Sequence, residues 1–164
     1  MNEILLPAVR AYAARRELEL AETLGSGKDG IVLVAVRKAQ PARVALKALR
    51  WPVGYEREKN VYERLQHAGV SNVLGFNVPQ LLGFDQEAQV VEMTIVERPF
   101  VLDFAGAYLD SRPQFPEDIW REWEVEKREQ FEERWPAVER VLEAFEEFGI
   151  YLLDVSPGNI GFEF

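Results

Sequence analysis

The stretch "ELAETLGSGKDGIVLVAV", residues 19–36, decides the fold. Gly25, Gly27 and Gly30 fall within six residues and fit the pattern G-x-G-x-x-G. In a dinucleotide-binding fold a helix follows such glycines, and its N-terminus holds the pyrophosphate. Here the glycines run into "IVLVAV", a β-branched, strand-forming segment. The dinucleotide reading loses its helix and fails. The stretch reads instead as a strand over Leu18–Leu24, a glycine turn, and a strand over Ile31–Val36. Such a turn has another use. With no Cβ atoms in the way, its backbone N–H groups can lie close over a phosphate chain. A plain hairpin with no ligand is the alternative.

Upstream, Ile4, Leu5, Ala8, Val9, Tyr12 and Ala13 recur at helical spacing. Residues 1–17 therefore read as an N-terminal helix, with Asn2 as its cap and Pro7 in its first turn. Downstream, Val44–Leu49 is a third strand. Tyr55–Leu65 is an amphipathic helix, with Glu58 one turn before Val61, Tyr62 and Leu65. "VPQLLGFD" and "QVVEMTIV" are two further strands. The pattern breaks near Arg98–Pro99, and a Pro-rich connection, "PQFPED", follows. Glu117–Phe148 is helical, restarting at Pro136, with Val138, Val141, Leu142 and Phe145 as an apolar stripe. Gly149 ends it, and "IYLLDVSPGNIGFEF" closes as strand, polar loop and strand. The fold class is α+β. An antiparallel β-rich lobe with one helix spans residues 18–97, and a reduced, mainly helical lobe spans 98–164.

Of the 164 residues, 48% are hydrophobic, which suits a folded core rather than a disordered chain. The formal net charge of −9, with no concentrated basic patch, argues against nucleic acid and anionic membrane surfaces as partners. With no cysteine there is no disulfide framework, Cys-ligated zinc or thiol chemistry. No apolar run approaches the ~20 residues of a membrane span, and the first residues lack a secretion signal. A soluble cytoplasmic protein is expected. Between Glu117 and Glu147 twelve acids face five bases, the mark of a solvated helical face. Trp120, Trp123, Phe131 and Trp135 read as core, with a homodimer or partner-protein surface as the alternative. His67, the single histidine, reads as surface or capping.

Val32 extends the glycine pattern to G-x-G-x-x-G-x-V, and Lys47 stands in "VALK" among small and apolar neighbours on a strand. A lysine there usually snorkels to water; pointing inward makes sense only toward an anion. Together with Glu58 and "GIYLLDVSPGNIGF" (149–162), and in this order, these segments resemble the protein-kinase superfamily over residues 18–164. "GSGKDGIV" is similar to its glycine-rich loop and "VALK" to its third-strand lysine motif. Glu58 is similar to the helix glutamate that pairs with that lysine, with Glu56 as the lesser alternative. "MTIVERPFVLDF" is similar to a hinge, with Met93 as gatekeeper and the backbone of Thr94–Val96 facing adenine. Asp154 and Asn159 have the catalytic-loop spacing D-x-x-x-x-N.

The resemblance implies a kinase-like fold and an ATP-dependent phosphotransferase. It would move the γ-phosphate to a hydroxyl of a protein Ser/Thr or of a small molecule, with Mg²⁺ as cofactor. It implies that Gly25, Ser26, Gly27, Lys28 and Gly30 cover the phosphates, with solvation as the other reading of Lys28. Val32, Ala45 and Met93 would wall the adenine. Lys47 would contact phosphate and Glu58 would orient it. Asp154 would take the acceptor's proton, and Asn159 would give an oxygen to Mg²⁺. Two departures stand against this. Leu152 and Leu153 replace the usual His-Arg, so pairing with a phosphorylated activation loop is not expected. No metal-binding Asp is found after Asn159, and Glu163 would reach a metal there only through a sharp turn. Three readings follow: a minimal phosphotransferase that uses one metal or a second subunit, a noncatalytic pseudokinase-type module that binds nucleotide or protein, or a piece of a longer chain. Taken alone, "DVSPGN" is a plain turn.

Overall fold

The computed structural model describes residues 2–163. A 3-10 turn, Asn2–Ile4, leads into α1, Leu6–Arg15. Leu5 precedes α1 without a side-chain cap, so the helix starts later than expected and Asn2 is not its N-cap. Ile4, placed on the apolar face by its spacing, lies before the helix and is exposed. Pro7 does fall in the first turn, where a missing N–H costs nothing.

Three strands follow: β1 (Leu18–Ser26), β2 (Gly30–Arg37) and β3 (Arg43–Leu49). Next come α2 (Pro52–His67) and four more strands: β4 (Asn72–Val73), β5 (Phe76–Asn77), β6 (Leu81–Asp85) and β7 (Val90–Thr94). The five longer strands form one antiparallel sheet in the order β1-β2-β3-β7-β6. Its two faces bury different sets, as a period of two requires. Leu33, Ala35, Val44, Leu46, Ala48 and Val90 pack with Val9, Tyr12 and Ala13 of α1. Ala45, Val91 and Met93 face the other way, toward α2 and the second half of the chain. A buried Glu92 fastens α1 to the sheet. It accepts hydrogen bonds from Tyr12 Oη, Arg16 Nε and an Arg37 guanidinium nitrogen, each at 2.9 Å.

The break at residues 98–99 is a cis Arg98–Pro99 peptide bond. Beyond it lie β8 (Phe100–Val101), β9 (Tyr108–Leu109), α3 (Glu117–Phe131) and α4 (Trp135–Glu146). Glu132, at φ 54°, separates the two helices and starts a 3-10 turn, so α4 restarts at Trp135, one residue before Pro136. Gly149 adopts φ 73°, the left-handed conformation that ends a helix cheaply in glycine. The chain then forms β10 (Ile150–Tyr151) and β11 (Ile160–Gly161). β10 pairs with β9, and β11 pairs antiparallel with β8, Ile160 opposite Val101. Phe131 and Trp135 are core as expected, while Trp120 and Trp123 are half-buried. No helix among the described residues is long and apolar enough to cross a membrane.

Candidate functional site

The glycine turn, β3, α2 and the segment after β8 enclose a cleft of about 670 Å³. That is ample for a nucleotide-sized ligand. It is lined by Gly25, Ser26, Gly27, Lys28, Gly30, Val32, Ala45, Lys47, Glu58, Met93, Thr94 and Val96, all expected from the sequence, and also by Gly158 and Asn159. Asp154 does not line it; this residue is exposed beside it on the same loop.

The three glycines differ in purpose. A Cβ on Gly30 would collide with the carbonyl oxygen of Ala48, so this glycine lets β2 and β3 approach. Cβ atoms on Gly25 or Gly27 would meet nothing within 4 Å. The turn is fixed by Gly27 N–H donating to Gly30 O at 3.0 Å and by Arg50, whose guanidinium donates to Lys28 O at 2.8 Å. The Gly27 amide is thereby used internally. The amides of Lys28 and Asp29, two residues that line the cleft, donate to no group among the described residues.

Lys47 projects from β3 into the cleft. It donates to Glu58 Oε1 and to Asp103 Oδ1, each at 3.1 Å. Glu58 reaches it because Tyr55, Glu58, Val61, Tyr62 and Leu65 share the buried face of α2. That spacing sets a carboxylate in an apolar stripe, whereas Glu56 is partly exposed and pairs with Lys59 at 3.8 Å. The second oxygen of Glu58 accepts from the backbone N–H of Phe104 at 2.7 Å. Burial alone would lower the Lys47 pKa, but the charges of Glu58 and Asp103 outweigh it and hold the ammonium above the ordinary lysine value. Burial pushes the Glu58 carboxyl up, and Lys47 opposes that shift.

Asp103 is the residue that sequence reasoning missed. It lay unremarked inside the stretch likened to a hinge. It sits at φ 68°, directly before Phe104, in the irregular segment between β8 and β9. Its Oδ1 accepts from Lys47 and, at 3.3 Å, from Ala105 N–H. Its Oδ2 accepts no hydrogen bond among the described residues, and the side chain remains about one-third exposed toward the cleft. Leu102 N–H donates to Asn159 O at 2.8 Å, so the β8–β11 pair brings Asp103 and Asn159 to one wall. No Asp follows Asn159, as read from the sequence; the carboxylate that does join Lys47 and Glu58 in the cleft, Asp103, comes before that loop. Glu163, the weak candidate for that role, is exposed and does not line the cleft.

Two further details refine the expected site. The Thr94 amide already donates to Gln80 O at 2.9 Å, so that N–H is not available to a planar ring at the edge formed by Thr94, Ile95 and Val96. Asn159 turns its amide nitrogen to Asp154 O at 3.5 Å, which leaves its side-chain oxygen unengaged. Among the described residues no group of three or more His, Cys, Asp or Glu side chains forms a metal cage. His67 ends α2, is exposed and does not line the cleft. A scan against protein-family models returns no match, and no curated protein matches the sequence.

Proposed function

We propose that the protein is a kinase-like phosphotransferase that binds ATP in this cleft and moves its γ-phosphate to a hydroxyl acceptor. One observation carries the reading. A largely buried lysine, inside a cleft roofed by a glycine turn, is held by one fully buried carboxylate and one partly exposed carboxylate. A lysine needing only charge balance would be satisfied by Glu58. The second carboxylate, with Asn159 on the same wall, gives oxygen ligands of the kind Mg²⁺ takes alongside phosphate oxygens. Asp103 and Asn159 would hold that ion, which when bound neutralises charge on the phosphates. The noncatalytic alternative rests on the missing metal Asp after Asn159; in this proposal Asp103 takes that part. In the resemblance the metal Asp follows the catalytic loop. Here Asp103–Phe104 precedes it, and strand pairing rather than chain succession brings the two together.

The protein's own groups have defined tasks. Lys28 and Asp29 amides cover the terminal phosphates, and Lys47 binds the inner ones while Glu58 fixes its direction. Val32, Ala45 and Met93 enclose the adenine. The acceptor oxygen forms a bond to the γ-phosphorus, the bond from that phosphorus to the β–γ bridging oxygen breaks, and ADP leaves with the electron pair. Asp154 receives the acceptor's proton. Catalysis of this kind is alignment and charge stabilisation. The test is calorimetric titration with ATP, with and without Mg²⁺, alongside transfer of labelled γ-phosphate. Binding is expected to need Lys47 and to be strengthened by Mg²⁺ through Asp103. Turnover is expected to vanish in Asp154→Ala with binding retained. At a hundredfold excess over Kd, bound ATP adds about 2.7 kcal/mol of stability. The absence of any ATP binding in either condition would overturn the proposal.

A further inference from the structure

Three charged side chains are buried among the described residues: Glu58, Glu92 and Lys127. Glu58 serves the cleft and Glu92 fastens α1, which leaves Lys127 without a role. This residue of α3 is only 7% exposed, and its ammonium donates to Val155 O at 2.7 Å. Its other neighbours are Gln130 Oε1 at 3.4 Å and the mostly exposed Glu126 at 3.9 Å. One turn earlier on the same face, Trp123 Nε1 donates to Leu153 O at 3.0 Å. The two side chains thus grip the carbonyls immediately before and after Asp154.

Burying an ammonium against mostly neutral partners is unfavourable, and a methionine would fill the space without that cost. What methionine lacks is a donor for the Val155 carbonyl. The far side of the loop is closed by Asn159 and Ile160 N–H groups, both donating to Ser156 O at 2.9 Å. Across the gap, a Cβ on Gly106 would stand 2.9 Å from the Asp154 Cβ, so the aspartate already packs against that backbone. Its position is fixed from both sides.

We propose that Trp123 and Lys127 are positioning residues that hold the backbone around Asp154 and so aim its carboxylate at the acceptor. The aiming rests on the phosphotransfer reading; the clamp itself does not. The experiment compares wild type with Lys127→Met, Lys127→Arg and Trp123→Phe. It measures Mg·ATP affinity by calorimetry, kcat and KM with water as acceptor, melting temperature, and amide hydrogen exchange across residues 154–160. For Lys127→Met we expect an unchanged or raised melting temperature, Mg·ATP affinity within twofold of wild type, and kcat lower by about 10- to 100-fold. Loop amides should exchange about tenfold faster while those of the five-stranded sheet do not change. Lys127→Arg should recover part of kcat, and Trp123→Phe should show a milder form of the same pattern. Unchanged loop exchange overturns the clamp, whatever the activity. Faster exchange with unchanged kcat overturns the aiming role. A wild type that turns over no ATP at all overturns the phosphotransfer reading, and the exchange data still decide the clamp.

Discussion

Lys47 Nζ and Asp103 Oδ1 meet at 3.1 Å across 56 positions of sequence. The contact joins the β-rich half of the chain to the segment that follows it. Lys47→Met removes it together with the bond to Glu58, and leaves a fully buried carboxylate without its cation, held by the Phe104 amide but uncompensated in charge. Breaking a buried pair from one side costs about 3–5 kcal/mol. Denaturant unfolding should show a loss of that order. Asp103→Asn leaves the Lys47–Glu58 pair intact, so it should cost much less stability while abolishing the Mg²⁺ dependence of ATP binding. Equal destabilisation by both variants would mean that Asp103 is structural.

Gly27→Ala and Gly30→Ala separate the two uses of the glycine turn. The Gly30 variant must push apart β2 and β3 at Ala48, a backbone clash expected to cost about 1–3 kcal/mol. The Gly27 variant meets open space, so its stability should change by less than about 1 kcal/mol. Its methyl group would instead narrow the space above the phosphates and raise the Mg·ATP Kd about tenfold, equivalent to ~1.4 kcal/mol. Calorimetry and unfolding curves on the same two preparations suffice, and a Gly27 variant with wild-type affinity would remove the turn from the binding site.

Gly106→Ala places a Cβ 2.9 Å from that of Asp154. One of the two backbones must move. We expect kcat to fall about 100-fold with Mg·ATP affinity unchanged, because a small misplacement of the reacting group is costly while the nucleotide contacts lie elsewhere. The melting temperature should drop by about 2–4 °C for each kcal/mol of overpacking. A variant that loses affinity and turnover together would place Gly106 in the nucleotide site.

Acid should loosen a second joint between the two halves. Both terminal nitrogens of Arg64, on α2, donate to the Asp110 carboxylate, at 2.7 and 3.1 Å. Arg64 also reaches the carbonyls of Phe148 and Gly149 at 3.3 and 3.4 Å. The hydrogen bond from Arg64 holds the Asp110 carboxyl below its ordinary value of 3.8. A lowered folded-state pKa means that the unfolded chain takes up the proton first as pH falls. The contribution is therefore present above pH 3.8 and is lost as pH drops through the lowered folded value. The urea midpoint of Arg64→Met should lie below that of wild type by a constant amount near neutral pH. The gap should close in acid, and a gap independent of pH down to 2 would refute the linkage.

Much of this arrangement is legible in the sequence, for identifiable reasons. The five strands announce themselves because alternating residues face two different cores. Glu58 is distinguished from Glu56 by falling in register with Tyr62 and Leu65. Asp103 is not legible, because nothing periodic marks it. It lies at a positive φ between two strands of two residues each, too short to show alternation. Its partner strand, β11, is equally short, and their pairing depends on the packing of everything between them. Chain order also gives no sign of it, because Asp103 precedes Asn159 by 56 residues and meets it only through the pairing of β8 with β11. Lys127 was hidden differently. Counted as one of five bases on an acidic helix, it is the one among them that is buried.

The pairing of residues 100–101 with 160–161 has a consequence for biosynthesis. The strand partners of the five-stranded sheet, and the α1 helix on one of its faces, all lie within residues 6–94 and can pair before the rest of the chain is made. Lys47, Glu58 and Asp103 can then gather early. Asn159 joins them only after the last helices have emerged and β11 has docked, a long-range closure that comes late in folding. A nascent polypeptide would thus carry most of the cleft's lining while still lacking Asn159 and the loop that holds it.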